Sequence, residues 1–251
     1  MPLNSAACKT CSLNPLCLPV SLSFDDIDKL DDIIKRGRPI QKGEHLFYQG
    51  DAFTSVFAVR TGTLKTYTLT KDGEEQITGF HLASEMIGLS SYDVATYQAS
   101  AKALETTNVC EIPIELLDDL SNRLPELRRQ IMRIMGREIR EDQQMMMLLS
   151  KKSAEERVAS FLLSLAHRFK RRGYSERMFR LTMSRADMAN FLGLAVETVS
   201  RVFTRFQNQE LISFGGNAKE IHVLQHHELC NIASLSDSER LELGLLEVST
   251  D

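Results

Sequence analysis

The stretch Ser184-Arg185-Ala186-Asp187-Met188-Ala189-Asn190-Phe191-Leu192-Gly193-Leu194-Ala195-Val196-Glu197-Thr198-Val199-Ser200-Arg201-Val202-Phe203-Thr204-Arg205-Phe206-Gln207 decides the architecture of this chain. Ser184 is a good N-cap, because its hydroxyl can accept an N–H left unpaired at a helix start. Met188, Ala189, Phe191 and Leu192 face a core, and Gly193 ends the helix where the chain must turn. A second helix follows with Val199, Val202, Phe203 and Phe206 inward, and the small Ala189 lets the two helices cross closely. This layout predicts a helix-turn-helix. Glu197, Ser200 and Arg201 stand at i, i+3 and i+4 on the outward face of the second helix, with Thr198 beside them. Such a face suits a major groove: Arg201 can donate two bonds to guanine O6 and N7, and Glu197 can accept from a cytosine N4 amine. Arg185 and Arg205 suit phosphates, which position a module without reading sequence. Downstream, Leu211-Ile212-Ser213-Phe214, Gly215-Gly216 and Ile221-His222-Val223-Leu224 predict a wing hairpin. The plainer reading of the same residues is a helical hairpin with exposed charges.

Charge separates those two readings. The chain of 251 residues carries 30 Lys and Arg against 34 Asp and Glu, a net −4 that argues against a nucleic-acid partner. The balance is uneven along the chain: −5 over residues 1–150, +6 over 151–224 and −5 over 225–251. A basic block between two acidic ones, coinciding with the helix-turn-helix, favours double-stranded DNA as a partner. The composition, 43% hydrophobic and 25% charged with 13 Gly and 6 Pro, is that of a globular chain of one or two domains. No apolar run reaches the ~18 residues of a membrane helix. Residues Met1 to Thr10 hold no signal-peptide core, so a cytoplasmic protein with no membrane contact is expected.

Upstream of the helix-turn-helix the pattern changes twice. Phe24, Ile27, Leu30, Ile33 and Ile34 predict a short amphipathic helix over residues 24–35. From Pro39 to Glu111, short β-prone runs (Val56–Val59, Leu64–Leu69, Gln76–Phe80) alternate with turns whose glycines, Gly43, Gly50, Gly62 and Gly73, supply positive φ. That predicts a small β-barrel or sandwich. Pro113 opens a helical region with Leu116, Leu117 and Leu120 on one face, and Pro125 begins a long helix to about Leu149. A further helix over 153–172 has a capping box at Ser153 and Glu156 and a terminator at Gly173. The expected organisation is α+β: a leader (1–20), a jelly-roll β-barrel sensory domain (21–122), a long helix (123–152), a winged helix-turn-helix domain (153–230) and an acidic tail (231–251).

Met132, Met135, Ile139, Asp142, Met146 and Leu149 are spaced 3, 4, 3, 4 and 3. This is an a/d seam, and it predicts a homodimer through the long helix; the plainer reading is a helix packed against its own domain, with the methionines as an adaptable core. A carboxylate on a two-fold seam faces its symmetry mate, and two charges ~4–6 Å apart repel by a few kcal/mol at intermediate dielectric. Asp142 is therefore expected to hold the dimer near its threshold.

Five cysteines are present, and three of them, Cys8, Cys11 and Cys17, crowd the leader. Cys110 is available as a fourth donor at the end of the barrel, and four thiolates suit either a [4Fe–4S] cluster or a tetrahedral zinc. Spacing alone leaves both open. Pro15 and Pro19 stiffen the leader, and Leu13, Leu16 and Leu18 would limit access of water and oxygen. Cys230 lacks a partner pattern and is expected to be a bystander, while His226 and His227 are expected to be an exposed pair. The six histidines form no visible catalytic motif, so an enzyme is not expected.

β-barrel, long helix and winged helix-turn-helix in this order resemble the CRP/FNR family of bacterial transcription regulators. Glu197-Thr198-Val199-Ser200-Arg201 is similar to the family's recognition helix, and Glu75-Gln76-Ile77-Thr78-Gly79-Phe80-His81-Leu82 and Ala103-Leu104-Glu105-Thr106 resemble the FNR/ANR branch of anaerobic regulators. Leu89, after Gly88, and Tyr97 stand where the cyclic-AMP branch has a Glu and an Arg, so a cyclic phosphate would lose its charged clamp. Val196 and Ser200 also depart from that branch and match FNR. The resemblance implies an oxygen-labile [4Fe–4S] cluster on Cys8, Cys11, Cys17 and Cys110, a dimer when the cluster is present, and binding to an inverted repeat of TTGAT half-sites. It also implies that the turn carrying Asp72, Gly73 and Glu74 contacts RNA polymerase. A small-molecule regulator with its ligand in the barrel, or a zinc-stabilised DNA-binding regulator, is the alternative.

Overall fold

The computed structural model describes residues 7–216, 219–235 and 240. The chain divides into two compact units, residues 1–141 and 142–251. Most of the expected tail lies outside the described residues.

The first unit begins with three short 3-10 turns, Cys8–Thr10, Asn14–Leu16 and Leu18–Ser21. Pro15 and Pro19 are the second residues of the second and third turns, where a helix start leaves the N–H unpaired in any case. Helix α1 (Phe24–Ile33) follows; Ser23 caps it by accepting from the Asp26 N–H. Its buried residues, Ile27 and Leu30, belong to the expected stripe.

The strands are β1 (His45–Phe47), β2 (Ser55–Thr61), β3 (Leu64–Leu69), β4 (Glu75–His81), β5 (Met86–Ile87), β6 (Ser100–Ala103) and β7 (Asn108–Pro113). They form two sheets, β1-β6-β3-β4 and β5-β2-β7, with antiparallel pairing throughout. Strand β2 is buried on both faces. Phe57 and Val59 pack with Phe47, Leu64, Ile87, Tyr97 and Ala101 between the sheets. Val56 and Ala58, on the opposite face, pack with Leu18, Leu30, Ile112 and Leu117. This two-residue alternation makes β2 the wall between an inner core and an outer one covered by the leader and helices. The four turn glycines have the expected positive φ, from +79° to +92°. At Gly62 a side chain is excluded outright, because a Cβ would lie 2.4 Å from Thr107 Oγ1 and 2.7 Å from the Thr106 carbonyl oxygen.

Helix α2 (Ile114–Arg123) buries Leu117, Leu120 and Ser121. Leu116, expected on that face, is instead 44% exposed. The buried stripe runs through 117, 120, 121 and 124, and Leu116 lies about 100° to its side. Helix α3 (Pro125–Lys151) is a single 27-residue helix. Leu127 and Ile131 are buried in the outer core.

The second unit is built on α4 (Ala154–Arg171), α5 (Arg185–Leu192) and α6 (Val196–Asn208). Ser153 with Glu156 and Ser184 with Asp187 form complete capping boxes. Gly193 closes α5 in the left-handed conformation at φ +61°. Met188, Ala189 and Leu192 meet Val199, Val202, Phe203 and Phe206 in a buried layer under α4. The wing is β9 (Ile212–Phe214) with β10 (Glu220–Val223), joined by β8 (Met178–Arg180), a strand with one buried side chain and no readable period. Helix α7 (His226–Ile232) packs on α4 and buries Cys230. His226 is half-buried, with Nδ1 3.7 Å from Cys230 Sγ, so the expected exposed histidine pair is reduced to His227.

Candidate functional site

All four singled-out cysteines line one apolar cavity, together with Leu13, Leu18, Leu30, Ala58 and Ile112. Two features bring them there. Antiparallel pairing sets Cys110 of β7 directly opposite Ala58 of β2, and directly opposed residues share a face, here the outer one. The 3-10 turns then fold the leader over that face with Leu18 buried beneath it. Leu13 and Leu18 are in the cavity wall as expected, whereas Leu16 is not. Among the described residues, no group of three or more His, Cys, Asp or Glu side chains is placed to hold one metal ion.

Burial sets the protonation of these thiols. Burial raises the Cys8 pKa, and the Asp31 carboxylate adds to the effect. Burial pushes the Cys17 thiol up to about 12. Cys110 is also raised by burial, against the pull of the Arg36 and Arg60 guanidinium groups. Buried thiols of this kind stay neutral until a metal displaces their protons. The fit to a cysteine-ligated group is good: four soft donors, an apolar wall and two nearby cations.

The second candidate surface is on α6. Glu197, Ser200, Arg201 and Arg205 are exposed, and Thr198 is half-buried. The Ser200 hydroxyl donates to the Val196 carbonyl at 2.9 Å. Its proton is thereby engaged, which leaves its lone pairs as acceptors for a base amine. Arg205 forms an ion pair with Glu155 of α4. Arg185 is placed differently from a free phosphate ligand. Its guanidinium carbon lies 3.5 Å from the Phe203 ring centroid and 5.0 Å from that of Phe214. Burial lowers its pKa to about 10, still charged at neutrality, and the stacking braces α5 against α6 and the wing. Arg157, which sequence reasoning missed, donates to the carbonyls of Leu149 (2.8 Å), Lys152 (2.9 Å) and Leu192 (3.0 Å). It ties the last turn of α3 to the turn of the helix-turn-helix.

Along α3, Met132 (60%), Ile139 (58%) and Met146 (65%) are strongly exposed, as is Met147 beside the expected seam. Asp142 and Leu149 are exposed too. Met135 departs from the seam expectation: it is partly buried against the outer core of its own unit. Asp72, Gly73 and Glu74 form the exposed tip of the β3–β4 hairpin, closed by the Gly73 N–H on the Thr70 carbonyl at 3.0 Å. Leu89 is buried. Tyr97 fills the space between the sheets: its ring stacks on Phe47 at 3.8 Å and its hydroxyl donates to the Ser55 carbonyl at 2.7 Å.

Two family models match along this architecture, a cyclic nucleotide-binding domain over residues 38–123 and a Crp-like helix-turn-helix domain over 156–232. The chain is 64% identical to the transcriptional activator protein anr of Pseudomonas aeruginosa over 92% of its length and 94% of the relative's. It belongs to the CRP/FNR family, as an FNR/ANR-type regulator. The fumarate and nitrate reduction regulatory protein of Escherichia coli is 50% identical over 90% of both chains. Among solved structures, FixK2 from Bradyrhizobium japonicum superposes with a TM-score of 0.73 at 29% identity, covering 81% of this chain and 99% of that one. As a CRP/FNR member the chain is a DNA-binding transcription regulator and not an enzyme. None of the described helices is long and apolar enough to cross a membrane.

Proposed function

We propose that this regulator senses oxygen through a [4Fe–4S] cluster held by Cys8, Cys11, Cys17 and Cys110, and that the intact site favours a homodimer on DNA. The observation that carries the proposal is the convergence of all four thiols on one apolar cavity. A lone zinc needs its sulfurs ~2.3 Å from a single point. Thiols spread around a cavity suit a polynuclear group whose irons each take one ligand. When bound, the cluster supplies oxygen-labile bonds to the four thiolates.

The remaining steps belong to the chain. With all four thiolates engaged, the leader is fastened to β7 over the outer core. Met132, Ile139, Met146 and Leu149 then pair with a second copy across the seam, against repulsion between the two Asp142 carboxylates. Two α6 helices enter successive major grooves ~34 Å apart, on TTGAT half-sites. Glu197, Thr198, Ser200 and Arg201 face the bases. Arg205 approaches phosphate as its pair with Glu155 is exchanged, and Arg185 serves chiefly as the brace behind the reading face. Asp72, Gly73 and Glu74 present an exposed tip to RNA polymerase. A small molecule inside the barrel is disfavoured, since Phe47, Phe57 and Tyr97 already fill the space between the sheets.

The direct test is anaerobic purification, an absorption spectrum, and DNA binding measured before and after air is admitted. A visible iron–sulfur band that bleaches in step with DNA affinity is expected; a colourless protein with air-indifferent affinity overturns the proposal. Two finer results are expected. Asp142→Ala should shift sedimentation toward dimer in the cluster-free protein, because the seam loses its paired charges. Glu197→Ala should relax preference at one base pair per half-site by about 1–3 kcal/mol, read by competition between operators altered at that position.

A further inference from the structure

The described residues include a half-buried ion pair, Asp31 with Arg36, whose contacts lead back to the cysteines. Asp31, on the last turn of α1, accepts the Cys8 backbone N–H on Oδ1 at 2.8 Å. The same oxygen accepts from the Arg36 guanidinium. Arg36 in turn lies with Nη2 3.9 Å from Cys8 Sγ, within reach of a sulfur acceptor. Its backbone is fixed by its neighbour: Lys35 and Glu111 exchange both main-chain hydrogen bonds, at 2.8 and 2.9 Å. Glu111 follows Cys110 directly, so the guanidinium stands between the leader's first cysteine and the barrel's only one. Arg36 Nε is buried with no hydrogen-bond partner. A buried N–H without an acceptor needs an explanation, and a sulfur atom arriving with a bound group supplies one.

We propose that Asp31 and Arg36 are the positioning pair of the cysteine site: Asp31 docks the Cys8 main chain on α1, and Arg36 links Cys8 to the Cys110 strand and keeps one N–H for a cluster sulfur. This rests on the cluster reading above. Its physical basis is the local weakness of the leader, whose 3-10 turns lack side-chain caps and make mainly short-range bonds. A segment of that kind is ordered cheaply only if something outside it holds its end. The guanidinium suits the task because it stays protonated and offers several donors in a fixed fork, with the stronger hydrogen bond going to a thiolate. An ion pair that does join the leader to α1, Lys9 with Asp28 at 2.5 Å, contains no cysteine and serves as the control.

The test uses cluster-free, full-length protein kept anaerobic. Alkylation of each cysteine by iodoacetamide is followed by mass spectrometry in wild type, Asp31→Ala, Asp31→Asn, Arg36→Lys and Asp28→Ala. Cys8 should react several-fold faster in Asp31→Ala and in Arg36→Lys, with Asp31→Asn intermediate and both Asp28→Ala and the rate at Cys230 unchanged. Wild-type rates at Cys8 in both Asp31→Ala and Arg36→Lys overturn the proposal, as does an Asp28→Ala effect equal to that of Asp31→Ala. Asp31→Asn preserves shape and Arg36→Lys preserves charge, so a folding failure of the alanine variant still leaves a decision. Reconstitution with ferrous iron and sulfide is run alongside, and Arg36→Lys should bleach faster in air than wild type. A wild type that takes up no cluster defeats the sensing proposal, while the alkylation rates judge the positioning pair independently.

Discussion

Cys110→Ala should leave a folded protein that takes up no cluster and whose DNA affinity ignores air, at the weak level of the oxidised wild type. The effect is expected to be complete. In the proposed site Cys110 would be the single ligand from the barrel, where it lies opposite Ala58 in the β2–β7 ladder. Removing it would leave the three leader thiols without the sheet's thiolate as the fourth donor. The fold should tolerate the change, because Cys110 is only partly buried and alanine is smaller. Cys230→Ala is the matched control: that thiol sits in α7 of the other unit and should leave the spectrum unaltered. Absorption spectra and operator binding, each with and without air, check both variants. A coloured, air-responsive Cys110→Ala protein would remove this residue from the ligand set.

Phe206→Ala should be the most damaging single change in the second unit. The ring is fully buried on α6, in the layer shared with Val202, Phe203 and the α5 side chains. Truncating a buried phenylalanine costs about 3–5 kcal/mol, through lost transfer energy and the cavity left behind. That approaches the whole stability of a typical domain, so operator binding should be lost with it. The thiols lie in the other compact unit, and cluster uptake should persist. Denaturant unfolding followed by circular dichroism, with the cluster band monitored in parallel, separates the two outcomes. Equal loss of both signals would mean that the units unfold together.

How far the sequence reaches can be judged from particular residues. The helix-turn-helix was legible because its signals agree: Ser184 and Gly193 bound the first helix, and Val199, Val202, Phe203 and Phe206 keep a helical period. The barrel strands were legible from alternation between positive-φ glycines. What escaped were properties of register and of distance in space. Nothing in Val109-Cys110-Glu111 says that Cys110 faces Ala58, since a one-residue slip would turn it to the inner core. Strand β8 has a single buried residue, Phe179, too little for a pattern. Leu116 satisfied a three-and-four spacing with Leu120, yet the stripe had room for only one edge. Arg185 looked like a phosphate ligand because an exposed arginine and one stacked on two rings are the same letter. Asp31, Arg36 and Arg157 act through contacts that join separate elements, and a linear reading has no signal for them.

The unbroken length of α3 has one more consequence. Its residues belong to both compact units: Leu127 and Ile131 enter the outer core of the first, and the Leu149 carbonyl is held by Arg157 within the second. Each residue added or removed between Gly136 and Gln144 would shift Met146 and Leu149 by about 100° around the helix relative to Met132, and only a change of about seven would restore one stripe. Most side chains there lie on the surface and would be freely exchanged if packing alone mattered. The stretch is therefore tolerant in its letters and intolerant in its count, as a gear is tolerant of its metal but not of its number of teeth.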